Sequence, residues 1–176
     1  MLRSRLTAIA ALGATLLLTA CQTSAPAARP VSPRPGQAGA TLSPADYVAT
    51  AASIDLFVVR AAELALDRSG DYRIRALASQ FAEEHRGLAG QLSFAGRRVD
   101  ALPTARLLPR EEQRLEWLRT QKPFDSTFIR QMMLTHEQSL ELHAAFAARG
   151  SSATLRPVAA NAERTEQAHL AALRRR

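Results

Sequence analysis

From Tyr47 to the C-terminus, apolar positions recur every three or four residues, the period of a helix with one buried face. Ser43-Pro44-Ala45-Asp46 reads as a helix start, with Ser as N-cap, Pro at the first helical position and an acid in the first turn. That helix runs to about Arg68, where Ser69-Gly70-Asp71 breaks it. A second is predicted from about Asp71 to Ala95, with the stripe Ile74, Leu77, Ala78, Phe81, His85, Leu88 and Leu92, and Gly96 ends it. The next stretch holds Pro103, Pro109 and Pro123 around a short helical piece from about Arg110 to Arg119. Asp125 or Ser126 is expected to cap a third long helix, striped by Ile129, Met132, Met133, His136, Leu140, His143, Ala144 and Ala147. Arg149-Gly150-Ser151-Ser152 reads as a C-cap and turn. A fourth long helix then runs from about Ala153 to the tail, with Leu155, Val158, Ala162, His169 and Leu173 inward. Two helical hairpins joined by about thirty residues predict an all-α, ferritin-like four-helix bundle with one long crossover carrying a short helix.

Before Ser43 the pattern is different. Arg3 and Arg5 precede an apolar run from Leu6 to Leu18, and Leu18-Thr19-Ala20-Cys21 closes it. A charged start, a short apolar middle and small residues at the end make a bacterial export signal. Leu, two small residues and then Cys is the lipobox pattern, in which the cysteine is alkylated with diacylglycerol and becomes the new N-terminus. Residues 1–20 are therefore expected to be a lipoprotein signal peptide and Cys21 the lipidation site. Residues 21–42, rich in Ala, Pro and Ser, read as a flexible tether, and 43–176 as the bundle. The expected address is the bacterial cell envelope, with the membrane as partner through the lipid anchor. Gln22 rather than Asp after the cysteine points to the outer membrane, facing the periplasm.

Cys21 is the only cysteine, which excludes a disulfide framework, a thiolate metal site and a cysteine nucleophile from the mature domain. The chain carries 23 Lys and Arg against 16 Asp and Glu, and every basic residue except Lys122 is arginine. The arginines are interspersed with acids along the helices and aromatic residues are only 5% of the chain, so the basic balance is not read as a nucleic-acid surface. No Gly-rich phosphate loop or hydrolase motif is present.

The informative residues are polar ones on inward faces. At about 100° per residue, His85, His136 and His169 fall within apolar stripes, and Asp55 shares the face of Ala51, Val58 and Ala62. Asp55 and His85 are each about fifteen residues from the first turn, and His136 and His169 about fifteen and eighteen from the second, so all four belong at mid-bundle. Glu166 precedes His169 by three, the Glu-x-x-His spacing by which di-iron bundles present two ligands on one face. Such groups in an apolar core are costly unless paired or metal-bound. Two readings follow: a transition-metal site for zinc, copper or iron built from Asp55, His85, His136, Glu166 and His169, or a satisfied hydrogen-bonded layer. A di-iron site needs Glu-x-x-His twice, and the second helix has Ala82 three residues before His85. Glu83 and Glu84 are expected on the flanks. A mononuclear or copper-like site near Met132 and Met133 suits these ligands better, although methionines at this spacing also read as plain core. His143, one heptad after His136, is expected to be partly exposed and without a special role.

These features resemble the domain of unknown function 4142 family, exported bacterial bundles. The resemblance runs from Tyr47 to about Leu170 and rests on Glu63-Leu64-Ala65-Leu66, Phe81-Ala82-Glu83-Glu84-His85, Phe124-Asp125-x-x-Phe128 leading to Met132-Met133-x-x-His136, and His169-Leu170. It implies a ferritin-like bundle in the cell envelope and no settled activity. It also implies inward glutamates late in the first helix, where this chain has Val58 and Arg60. Either Asp55 takes over one turn earlier or a family metal site is degraded here. Three functional classes follow: an envelope lipoprotein whose bundle binds a transition metal or a protein partner, a ferritin-like metal-dependent oxidase or storage protein, and a structural or stress-related lipoprotein. The missing second Glu-x-x-His weighs against an enzyme.

Overall fold

A computed structural model describes residues 42–175, so the expected signal peptide, Cys21 and nearly all of the tether lie outside the described residues. The described residues form α1 (Pro44–Arg68), α2 (Tyr72–Gly96), a 3₁₀ turn (Arg97–Val99), α3 (Pro109–Thr120), α4 (Phe124–Arg149) and α5 (Arg156–Arg174). The four long helices pair as hairpins, α1 with α2 and α4 with α5, and the hairpins meet along α1–α4 and α2–α5. Between α2 and α4 the chain carries the short helix α3 across α1 and α4. This is the all-α four-helix bundle with a helix in its long crossover.

Local chemistry explains where the helices begin and end. Ser43 Oγ accepts from the Asp46 amide at 3.1 Å, satisfying one of the donors that a helix start leaves open. Asp71 does the same for α2, accepting from the amides of Arg73 at 2.7 Å and Ile74 at 3.4 Å. α2 closes at Gly96, where a Cβ would overlap the carbonyl oxygen of Ala101; the Ala101 amide donates back to Gly96 O at 3.0 Å. The start of α4 corrects the sequence reading. Its N-cap is Pro123 without a side-chain cap bond, and Asp125 lies in the first turn. Phe124 draws the start forward: it is buried in the core and stacked under the Arg68 guanidinium at 4.3 Å. α5 likewise begins at Arg156, with Ala153–Leu155 forming a turn tied by the Ser152 Oγ bond to the Leu155 amide.

Polar pins fix the crossover. Ser53 on α1 accepts from the Leu108 amide at 2.8 Å and reaches Glu111 at 3.4 Å. Arg68 donates to the carbonyls of Leu118, Arg119 and Gln121, closing the far end of α3. Arg114 lies over the Phe57 ring at 4.7 Å and donates to Gln131, Thr135 and Gln138 on α4.

Two apolar clusters fill the bundle. One gathers Phe57, Ala61, Ile74, Phe81, Leu118, Phe128 and Met132; the other gathers Tyr47, Ala51, Leu92, Phe146, Leu155 and Ala159. On α2 and α5 the buried polar residues fall between the segments that feed these clusters, as do Thr135, His136, Ser139 and His143 on α4, and on α1 Asp55 sits at their boundary. The inner face of α4 differs from the predicted stripe: Thr135 and Ser139 are buried, whereas Leu140 is only partly so. A wholly apolar criterion could not assign those two positions inward.

Candidate metal centre

Each long helix delivers a polar side chain to the boundary between the two apolar clusters. α1 brings Asp55, α2 brings His85, α4 brings His136, and α5 brings both Glu166 and His169, three residues apart on one face. All five are buried. The three imidazoles pack as a cluster, with ring centroids 5.4 Å apart for His85 and His136, 5.3 Å for His85 and His169, and 4.8 Å for His136 and His169. Phe81 closes one side, its ring 4.7 Å from His136 and 4.6 Å from His169.

A carboxylate accepts from one nitrogen of each ring. His85 Nδ1 donates to Asp55 Oδ1 at 2.8 Å, His136 Nδ1 to Glu166 Oε2 at 2.6 Å, and His169 Nε2 to Glu84 Oε2 at 2.7 Å. Ser139 Oγ donates to the other oxygen of Glu166 at 2.7 Å. The remaining nitrogens, His85 Nε2, His136 Nε2 and His169 Nδ1, are buried with no hydrogen-bond partner. Buried polar atoms are normally satisfied, so three orphans in one cluster need an explanation. His85, His136, Glu166 and His169 each offer one ligand atom, and the four atoms lie within 4.8 Å of one another. An imidazole whose other nitrogen is held by a carboxylate is the arrangement in which metal-bound histidines are found.

The electrostatics favour the deprotonated form of Glu166, His136 and His169. Burial alone would raise the Glu166 carboxyl, but the hydrogen bond from His136, the charges of His85 and His136 and the Ser139 hydroxyl bring it down to about 2. Burial, with the nearby charges of His136 and His85, pushes His169 down to about 4. Burial also lowers His136, against the pull of Glu166. His85 moves the other way: burial opposes it, yet the Asp55 hydrogen bond and the charges of Glu166, Asp55 and Glu84 raise it. Among the protein's own groups, His85 is thus the ring best able to carry positive charge here.

Four of the five expected site residues therefore form the donor group, and the fifth, Asp55, holds His85 from behind. Two expectations need correction. Glu84 is not a flank residue: though 40% exposed, it reaches His169, because its position beside His85 on α2 faces α5. His143 is buried, and its Nδ1 shares a 3.0 Å hydrogen bond with the Tyr47 hydroxyl from α1. Ser139 is not among the residues expected from the sequence; its i+3 spacing from His136 is the signal that points to it. Met132 lies in the apolar cluster, with Met133 half-buried against it. At the positions where the family resemblance implied glutamate, Val58 is core and Arg60 is exposed, and Asp55 one turn earlier carries the inward carboxylate.

Residues 29–175 match the family described as Domain of unknown function (DUF4142). The chain belongs to that family. The bundle is also similar to the solved structure "CopM in the Cu(I)-bound form", with a TM-score of 0.64 over 77% of this chain and 95% of that one. At 14% identity the likeness speaks for the fold alone. No curated protein matches the chain.

Proposed function

We propose that this DUF4142 protein is a lipid-anchored envelope protein whose bundle holds one transition-metal ion between His85, His136, His169 and Glu166. The observation that carries this reading is the trio of buried, unpartnered imidazole nitrogens beside an ionised carboxylate. CopM, a protein of similar fold, has been solved with Cu(I) bound. Zinc, copper and iron are all compatible with imidazole and carboxylate donors. When bound, the ion would satisfy the orphan nitrogens and offset the buried negative charge. Asp55 and Glu84 orient their rings, Ser139 holds Glu166, and Phe81 keeps water from one side. A single cluster with one carboxylate in the donor group favours a binding or carrier role over a di-iron oxidase, which uses four carboxylates.

Metal content tests the metal centre. Protein purified without chelator should carry close to one equivalent of a first-row transition metal, and chelation should remove it. Protein that neither retains nor takes up any such ion would rule the centre out, leaving a structural hydrogen-bonded layer. The anchor is tested separately: Cys21→Ser should abolish lipid labelling, and unchanged labelling would refute lipidation at that residue.

A further inference from the structure

The buried charge around the centre carries information about the ion. Asp55 and Glu166 are 2% and 0% exposed, so both carboxylates sit where solvent screens them poorly. Glu84, at 40% exposure, is partly screened by water and contributes less. The donors around the unpartnered nitrogens are imidazole and carboxylate, without a thiolate, and Met132 is taken up by the apolar cluster. Soft sulfur donors are what favour monovalent copper, whereas imidazole with carboxylate suits divalent first-row ions. Charge points the same way. A divalent ion balances the two buried carboxylates, and a monovalent ion leaves one negative charge uncompensated in the core, which is costly.

Resting on the metal-centre reading above, we infer that the site selects a divalent first-row ion over monovalent copper, and that Asp55, which lies outside the four-residue donor group, is a determinant of that choice. Asp55 acts through charge and through His85. Its replacement by Asn keeps an oxygen able to accept from His85 Nδ1 and removes the charge. Coulomb energy is linear in the charge of the ion, so the lost attraction is twice as large for a divalent ion as for a monovalent one at the same place. Removal of a group supporting a metal ligand typically weakens metal binding about 10–100-fold. For the monovalent ion the corresponding loss is the square root of that, about 3–10-fold.

The test is a competition titration of the full chain, stripped with chelator, using Zn(II) and Co(II) as divalent probes and Cu(I) and Ag(I), under anaerobic conditions, as monovalent ones. In the parent, equimolar Zn(II) should displace Ag(I). In Asp55→Asn the logarithm of the affinity loss should be about twice as large for Zn(II) as for Cu(I). Preferential retention of Ag(I) or Cu(I) by the parent would overturn the selectivity while leaving the metal centre standing. Equal losses in the variant would overturn the charge role of Asp55. Binding of none of the four ions would remove the centre itself and this inference with it. Should Asp55→Asn fail to fold, as seen by its helical signal, the parent competition still decides the selectivity, and Glu84→Gln repeats the charge test at the carboxylate that accepts from His169.

Discussion

Four histidines are buried in this bundle, and His143 differs from the other three in two respects that matter. His85, His136 and His169 each have a carboxylate on one nitrogen and a buried, unpartnered second nitrogen, and each contributes an atom to one convergent group. His143, one heptad beyond His136, has a tyrosine hydroxyl instead of a carboxylate, and it lies outside the four-residue donor group. Tyr47 stacks on Phe146, 3.9 Å between centroids, so an aromatic pair stands where the other three rings have a carboxylate. Burial, histidine identity and even an unpartnered nitrogen are therefore common to all four. A ligand set is distinguished by convergence on a common point and by negative charge placed behind the rings, which raises ligand basicity.

The sharpest way to break this contrast is by substitution. Replacing His85 and His136 together with Ala should abolish the metal-dependent rise in melting temperature completely, whereas His143→Leu should leave it intact. In the parent, an ion present at about 100 times its Kd stabilises by about 2.7 kcal/mol, a shift on the order of ten degrees for a domain of this size. Differential scanning calorimetry with and without zinc measures it. Loss of the response in His143→Leu, or its survival in the double variant, would erase the distinction between the two kinds of histidine.

How much of this was legible in the sequence depends on what determines each feature. The four long helices follow from periodicity and from caps at Ser43 and Asp71, which are local signals. Inward phase and distance from the turns also brought Asp55, His85, His136, Glu166 and His169 to one layer, since helical rise is nearly constant. What stayed hidden was the division of labour within it. Asp55 binds behind a ring rather than joining the donor group, and Glu84 enters from the rim because α2 and α5 are neighbours. Those roles depend on which helices pack side by side, a tertiary fact. The burial of His143 is hidden for a related reason: it requires Tyr47 to cross from α1 and occupy the space beside it.

A smaller effect separates the histidines by pH. In metal-free protein, His136, His143 and His169 are depressed by burial, so below the ordinary histidine value of 6.5 the unfolded chain takes up protons that the folded chain refuses. Stability then falls as pH drops, down to about 4 for His169. His85 has the opposite sign. Its raised value contributes stability fully below 6.5 and loses it as pH climbs through the folded value. Metal-free protein should therefore be most stable near pH 6.5, with each histidine proton worth at most about 1.4 kcal/mol per pH unit. Glu166, held at about 2, extends the acid loss below its ordinary 4.5, because its carboxylate must be protonated in the unfolded chain first. Urea unfolding between pH 4 and 9 tests this. A stability still rising at pH 9 would contradict the assignment of His85, and a flat acid limb would contradict that of the other three. His143→Leu should make the acid limb shallower without moving the alkaline one.

The smallest expected effect concerns the Tyr47–His143 pair itself, and it asks whether that pair is only structural. Tyr47→Phe deletes the hydroxyl and leaves His143 Nδ1 buried without its partner, which costs about 1–3 kcal/mol. His143→Leu strands the Tyr47 hydroxyl in the same way, at a similar cost. With both replaced, no polar atom of the pair remains to be satisfied, and apolar side chains of similar size can fill the space between α1 and α4. The double variant should then be closer to the parent than either single one, a coupling readable in a double-mutant cycle of unfolding free energies. None of the three should change the zinc-dependent shift, because neither side chain belongs to the donor group. Additive losses in the cycle would show that the hydrogen bond is not what holds His143. A weakened zinc response in Tyr47→Phe would tie this second layer to the metal centre and dissolve the contrast between the fourth histidine and the other three.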